Sequence, residues 1–154
     1  MTNAFSMRRL AAGDAACVHR LNDLFAEAFE ESESYQSFRP TDQYLERLLQ
    51  KPGIFALVAE VGGDIIGGLV AYQLDKFEQE RSEIYIYDLA VAESHRRQGI
   101  ATALISTLQQ LAAEIGAWVI YVQADYGDEP AIALYSKLGR REDVMHFDIA
   151  SKSG

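Results

Sequence analysis

The stretch from Glu83 to Thr102 constrains this chain more than any other. Residues 83–91, Glu-Ile-Tyr-Ile-Tyr-Asp-Leu-Ala-Val, are rich in β-branched and aromatic side chains and contain neither Gly nor Pro, which predicts a strand with much of its surface covered. From Ile100 the apolar residues Leu104, Leu108, Leu111, Ala112 and Ile115 recur every three or four positions. That period predicts a helix from about Gln98, stopped by a left-handed Gly116. The turn between them, Ala-Glu-Ser-His-Arg-Arg-Gln-Gly, is basic and ends in glycine. A strand that enters a helix this way presents the free N–H groups of the first helical turn to anionic oxygens, and Gly99 lets a phosphate approach the backbone. Arg96 and Arg97 add charge, so the turn is a candidate pyrophosphate site. It is neither a P-loop, which needs Gly-Lys-Ser/Thr, nor a Gly-x-Gly-x-x-Gly dinucleotide turn.

The flanking sequence places this unit in one domain, 1–154, a length that suits a single core. Residues 6–10 read as a first strand. Asp14 is placed to cap a helix with Val18, Leu21, Leu24, Phe25 and Phe29 on one face. A second helix is predicted over 41–50, with Tyr44, Leu45, Leu48 and Leu49 inward, stopped by Lys51-Pro52-Gly53. Two apolar runs, 54–60 and 65–74, joined through Gly62-Gly63-Asp64, form a hairpin signal. Gly67-Gly68 within the second run marks a bulge or a place where another chain approaches closely. After the central helix come a strand over 118–124, an acidic turn, a helix over 131–138 opened by Pro130 and closed by Gly139, and a last strand over 142–149. The order βααβββαβαβ, with a parallel crossover from Glu83 to Ala124, predicts an α/β mixed sheet flanked by helices.

Bulk properties exclude several functions. Fourteen basic against 23 acidic residues give a net charge of −9, which disfavours nucleic acid and anionic membrane as partners and favours a cationic one. No apolar run is long enough to span a bilayer and the first ten residues lack a signal-peptide core, so a cytoplasmic location is expected. The lone Cys17 shares the stripe of Leu21 and Phe25 and reads as a buried structural thiol; His19, His95 and His146 have no ligand spacing, so no metal is expected.

Arg96-x-x-Gly99-x-Ala101 fits the pattern Arg/Gln-x-x-Gly-x-Gly/Ala, which resembles the coenzyme A signature of the GCN5-related N-acetyltransferases. The segment from Ala131 to Gly139 is similar to the same family's closing helix, Ala-x-x-Leu-Tyr-x-Lys-x-Gly. Segments 76–91, 95–104, 121–128 and 144–148 further resemble the aminoglycoside 3-N-acetyltransferases of the gentamicin and fortimicin group; the likeness is looser before residue 54. The resemblance implies a sheet splayed between its two parallel central strands and acetyl-CoA as the donor. Its pantetheine arm would lie along Leu89, Ala90 and Val91, and its pyrophosphate on Arg96, Arg97, Gln98, Gly99, Ile100, Ala101 and Thr102. It implies Tyr135 as the general acid that protonates the departing thiolate.

A general base must take a proton from the acceptor ammonium. Asp88, an acid within an otherwise apolar strand, is the first candidate and Glu83, at that strand's edge, the second; a water could serve instead. Many relatives carry a glutamate on this strand where Tyr85 stands, so the chain departs from that pattern. Asp125, Asp128 and Glu129 are candidates for one acidic wall of a pocket for a cationic aminoglycoside, and Glu27, Glu30 and Glu31 for the other, although each of these three also reads as a solvated surface acid. Tyr35 is a further candidate contact. The expected activity is transfer of an acetyl group to the 3-amino group of gentamicin-like aminoglycosides, giving antibiotic resistance. A polyamine or protein-amine N-acetyltransferase, and a module that binds acetyl-CoA without turnover, are the alternatives. Relatives commonly form homodimers, and no feature of this sequence signals one.

Overall fold

The computed structural model describes residues 4–31 and 37–153. By compactness these fall into two units, one up to Gln123 and one from Ala124 onward. The first unit holds β1 (Ser6–Arg9), α1 (Ala15–Ala28), α2 (Asp42–Leu49), β2 (Ile54–Val61), β3 (Asp64–Asp75), β4 (Ser82–Val91), a short 3₁₀ turn (Glu93–His95), α3 (Ile100–Ile115) and β5 (Ala117–Val122). The second holds α4 (Glu129–Leu138) and the segment 139–153, which has no regular secondary structure.

The five strands form one sheet in the order β1-β2-β3-β4-β5, antiparallel except for the parallel pair β4–β5. The predicted mixed sheet with a parallel crossover is therefore present. The predicted strand over 142–149 is absent: these residues have no regular secondary structure, and Val144, Met145, Phe147 and Ile149 are exposed. Alternating apolar residues supply strand propensity, but a strand exists only where a neighbour takes its backbone hydrogen bonds.

The hairpin turn has both glycines at positive φ, Gly62 at 57° and Gly63 at 86°, joining the pair Val61–Asp64. A two-residue turn of this kind needs left-handed backbone at both positions, which glycine adopts without a Cβ clash. The bulge that the Gly67-Gly68 signal predicted is present. Ile66 is passed over where Ala59 pairs Gly67 and Glu60 pairs Ile65, so the hairpin is bulged there. Its carbonyl instead accepts the Ala92 N–H at 2.7 Å, which ties the end of β4 to β3. The glycines themselves admit helices: a Cβ on Gly67 would stand 2.8 Å from Ile100 Cγ2, and one on Gly68 2.1 Å from Leu21 Cδ1.

Leu21 and Phe25 of α1 are fully buried and pack with Leu10, Ala56 and Val58. Ile100, Leu104, Ile105, Leu108 and Ala112 form the buried stripe of α3. That stripe includes Ile105, which the periodicity passed over, and leaves Ile115 largely exposed. Helix α3 starts at Ile100 rather than Gln98, because Gly99, at φ 77°, is its left-handed N-cap; Gly116, at φ 73°, ends it as predicted.

Asp14 does not cap α1 through its side chain. Its carboxylate takes the Ala11 N–H at 2.8 Å and pairs with Arg8 at 3.2 Å. Glu46 of α2 instead accepts the N–H of Ala15, the first residue of α1, at 3.1 Å and that of Gly13, just ahead of the helix, at 2.7 Å. Among the described residues no helix is long and apolar enough to cross a membrane.

Candidate functional site

The site begins where two strands part. β4 and β5 run in parallel register from Ser82–Ala117 to Ile86–Val122 and pair no further. β4 itself continues against β3 for five more residues, through Val91–Gly67. Beyond Ile86, therefore, the β4–β5 ladder does not continue among the described residues, and Leu89, Ala90 and Val91 lie in that part of β4. An unpaired strand edge can take an extended amide-bearing chain as an additional strand.

At the same point β4 is bulged. Val70 pairs Asp88 and Ala71 pairs Ile86, so Tyr87 has no residue opposite it. Bulges re-aim side chains and are common beside active sites. Here the bulge lies between Tyr87, 64% exposed, and the half-buried Asp88.

Beyond Val91 the chain makes its 3₁₀ turn and then bends sharply, with Arg97 at φ 62° and Gly99 at φ 77°, before α3 begins. Arg96, Arg97, Gln98 and Gly99 lie toward solvent, whereas Ile100 is buried and anchors the helix start beneath Gly67. The two residues at positive φ, with the free first-turn N–H donors of α3, make this turn a candidate anion site. Nothing lies within 4 Å of where a Cβ on Gly99 would stand, so a bound phosphate has room there. An open cavity of about 810 Å³ lies beside this turn, lined by Arg20, Asp23 and Glu27 from α1, Val91 from β4, and Arg96. The strand and the turn fit the two parts of coenzyme A that need them, amides for the strand and phosphates for the turn.

The sheet face at the parting carries a feature that the sequence reading missed. The registers Tyr72–Tyr85 and Tyr85–Tyr121 align three tyrosines across β3, β4 and β5. Tyr85 and Tyr121 stack with centroids 4.6 Å apart, and the Tyr87 ring meets Tyr85 edge-on at 5.6 Å and Tyr72 at 6.0 Å. The Tyr85 hydroxyl donates to Gln123 Oε1 at 2.8 Å. Burial raises the phenol pKa values of Tyr72, Tyr85 and Tyr121, and the charge of Asp88 adds to the rise at Tyr72 and Tyr85. The recurrence of Tyr at 72, 85, 87 and 121 was visible in the sequence, but only register makes it one surface.

The remaining predicted site residues are distributed as follows. Glu83 is half-buried near the start of β4, with its carboxylate 3.8 Å from Lys76 Nζ and accepting the Trp118 indole N–H at 3.2 Å. Glu27 shares the cavity with Arg20 and Arg96. Glu30, at φ 57°, and Glu31 follow α1 and are exposed. Tyr35 lies outside the described residues. In the second unit, Asp128 is the N-cap of α4 and accepts the Ala131 N–H at 3.4 Å, while Asp125 and Glu129 are exposed. Tyr135 is half-buried on α4; burial first, and the charge of Asp128 second, hold its phenol above the ordinary tyrosine pKa. Cys17 is half-buried rather than buried, and its sulfur accepts from Arg20 at 3.1 Å and Arg8 at 3.4 Å.

A mixed sheet that opens between two parallel strands, with a candidate anion site at the following helix, is the architecture of a coenzyme-binding acyltransferase. The model of the acetyltransferase (GNAT) family matches residues 18–139, and the chain belongs to that family. Among solved structures it is similar to the aminoglycoside acetyltransferase HMB0005 from an uncultured soil metagenomic sample. That likeness has 54% identity and a TM-score of 0.94 over 97% of this chain and 99% of that one. It is also similar to the aminoglycoside acetyltransferase meta-AAC0020, likewise from uncultured soil, in complex with sisomicin. There the identity is 33% and the TM-score 0.88, over 96% and 97% of the two chains. N-acetyltransferase 8 of Rattus norvegicus is 33% identical over 90 residues, 58% of this chain and 40% of that protein. The chain thus spans about two fifths of the length of such curated relatives.

Proposed function

We propose that this protein is an acetyl-CoA-dependent N-acetyltransferase that acetylates the 3-amino group of gentamicin-like aminoglycosides and so confers resistance to them. The observation that carries the reading is the end of the β4–β5 ladder at Ile86–Val122, beyond which Leu89 to Val91 lead into the turn at Arg97–Gly99, in a chain 54% identical to an aminoglycoside acetyltransferase along nearly its whole length. The 3-amino position rests on the sequence resemblance, and the net charge of −9 suits a substrate with several ammonium groups.

Acetyl-CoA supplies the activated acetyl group; the rest falls to the chain. Backbone groups of Leu89, Ala90 and Val91 hold the pantetheine amides, and one N–H near Leu89 polarises the thioester carbonyl. Arg96 to Thr102 bind the pyrophosphate. Asp88 takes the proton from the acceptor ammonium, directly or through one water. Glu83, whose carboxylate lies 3.8 Å from Lys76 Nζ and accepts the Trp118 indole N–H, is the second candidate. Tyr135 donates its phenolic proton to the thiolate. A phenol whose pKa is raised by burial stays protonated at neutral pH, as a general acid must.

The test is thiol release from acetyl-CoA with gentamicin, sisomicin, spermidine and a lysine peptide, with NMR to locate the acetyl group. The expected product is the 3-N-acetyl aminoglycoside, and Tyr135→Phe should lower kcat roughly 10²-fold or more with little change in donor affinity. Turnover confined to spermidine or peptide rejects the substrate assignment. Full turnover in Tyr135→Phe rejects the general-acid role.

A further inference from the structure

We infer that the tyrosine row of Tyr72, Tyr85, Tyr87 and Tyr121 is the seat of the acceptor's amino-sugar rings, with Tyr87 as its rim and principal contact. The inference rests on the aminoglycoside reading above and deepens it, since none of the acidic residues considered earlier explains how the sugar framework is held.

Four observations carry it. The rings come from three adjacent strands and form one connected surface through the stacked pair and the two edge-on contacts. With strands about 4.8 Å apart, such a row is roughly 10 Å across, the scale of two linked sugar rings rather than of one amine. The row is on the strands that part, and Tyr87 is both the bulged residue and the first beyond the β4–β5 ladder. A ligand on the row therefore lies next to the part of β4 beyond the β4–β5 ladder, where the donor is expected. Finally, Tyr87 is 64% exposed while its neighbours are half-buried. The inner rings fix its position, and its own surface remains available.

The chemistry matches a polycationic sugar. Ring faces accept the C–H faces of pyranose and cyclitol rings and attract ammonium groups through the quadrupole, and phenol hydroxyls hydrogen-bond to sugar hydroxyls and amines. Asp88 acts electrostatically on Tyr72 and Tyr85, so a carboxylate is near the rings to complement an ammonium group held there.

Tyr87 is the residue to change, because its exposure leaves the fold least dependent on it. In Tyr87→Ala the KM for gentamicin should rise about 10-fold, from a cation–π and stacking loss of the usual size. The KM for acetyl-CoA and kcat should stay within about two-fold of wild type. Tyr87→Phe should retain most of the affinity. Tyr87→Leu, which keeps apolar bulk but no π face, should behave like the alanine variant and covers the case in which that variant folds poorly. An unchanged gentamicin KM in Tyr87→Ala overturns the inference, as does an equal rise in donor KM or a leucine variant as good as phenylalanine. Wild-type protein that acetylates no aminoglycoside removes the parent reading and this one with it; that failure is seen before any variant is made.

Discussion

Gly68 sets how closely α1 can lie on the sheet, and replacing it with alanine weighs two opposed effects. In an ordinary strand, alanine is favoured over glycine by roughly 0.5–1 kcal/mol, because glycine loses more backbone freedom on folding. At Gly68 the new Cβ would stand 2.1 Å from Leu21 Cδ1 and 3.2 Å from the Leu57 carbonyl oxygen. The backbone oxygen cannot retreat without disturbing the β2–β3 ladder. Leu21 has no exposed surface and is enclosed with Phe25, Ala56 and Val58, so its methyl has nowhere to turn. Overpacking of this kind costs about 1–3 kcal/mol, which outweighs the entropic gain. The net expectation is a loss of about 1–2 kcal/mol, or a Tm lower by roughly 2–8 °C for a chain of this size. Thermal and urea melts followed by circular dichroism measure it. Leu21→Ala alone should cost ~2–5 kcal/mol through the cavity it leaves. In the double variant the methyl group introduced in place of the Gly68 hydrogen occupies that space, so the combined loss should fall short of the sum of the two by ~1 kcal/mol or more. A Tm for Gly68→Ala at or above wild type, or strict additivity in the double variant, would refute the packing argument.

Glu46→Ala removes the acceptor for both Gly13 and Ala15 N–H groups and should destabilise by about 1 kcal/mol, with faster amide exchange at those two positions. Unchanged exchange there would mean that solvent caps α1 equally well. A tyrosinate absorbance titration should find Tyr72, Tyr85, Tyr121 and Tyr135 ionising above the pH at which tyrosines do in the unfolded chain. Because folding raises these pKa values, their contribution to stability is complete below about pH 10 and is lost as the pH rises through the folded-state values. A native titration that overlays the denatured one would contradict the burial that causes the shift.

Much of this molecule was legible in the order of its residues. The strand–turn–helix at Glu83–Thr102, the Gly62-Gly63 turn and the Gly116 stop depend on local backbone chemistry, in which neighbouring residues determine φ and side-chain direction. The same holds for Pro130 in the first turn of α4, whereas the capping role of Asp128 was not read from the sequence. Local rules failed where partners come from afar. Asp14 has the right type and position for a cap, yet Arg8 and Ala11 claim its carboxylate and Glu46, 31 residues from Ala15, takes over the task. Residues 142–149 have a strand's composition without a strand's partner.

The candidate site divides along the same line. The glycine-turned start of α3 is a contiguous motif, and contiguous motifs can be read directly. The parting of β4 from β5, the bulge at Tyr87 and the alignment of Tyr72, Tyr85 and Tyr121 are facts of register between strands far apart in the chain, and a one-residue slip would send those rings to opposite faces. The sequence alone determined that a basic, glycine-turned helix start follows an apolar strand, because that is local chemistry. Tertiary structure decided what faces it: where the β4–β5 ladder ends, and which tyrosines share a surface, because pairing register is settled only when the whole sheet has been packed against its helices.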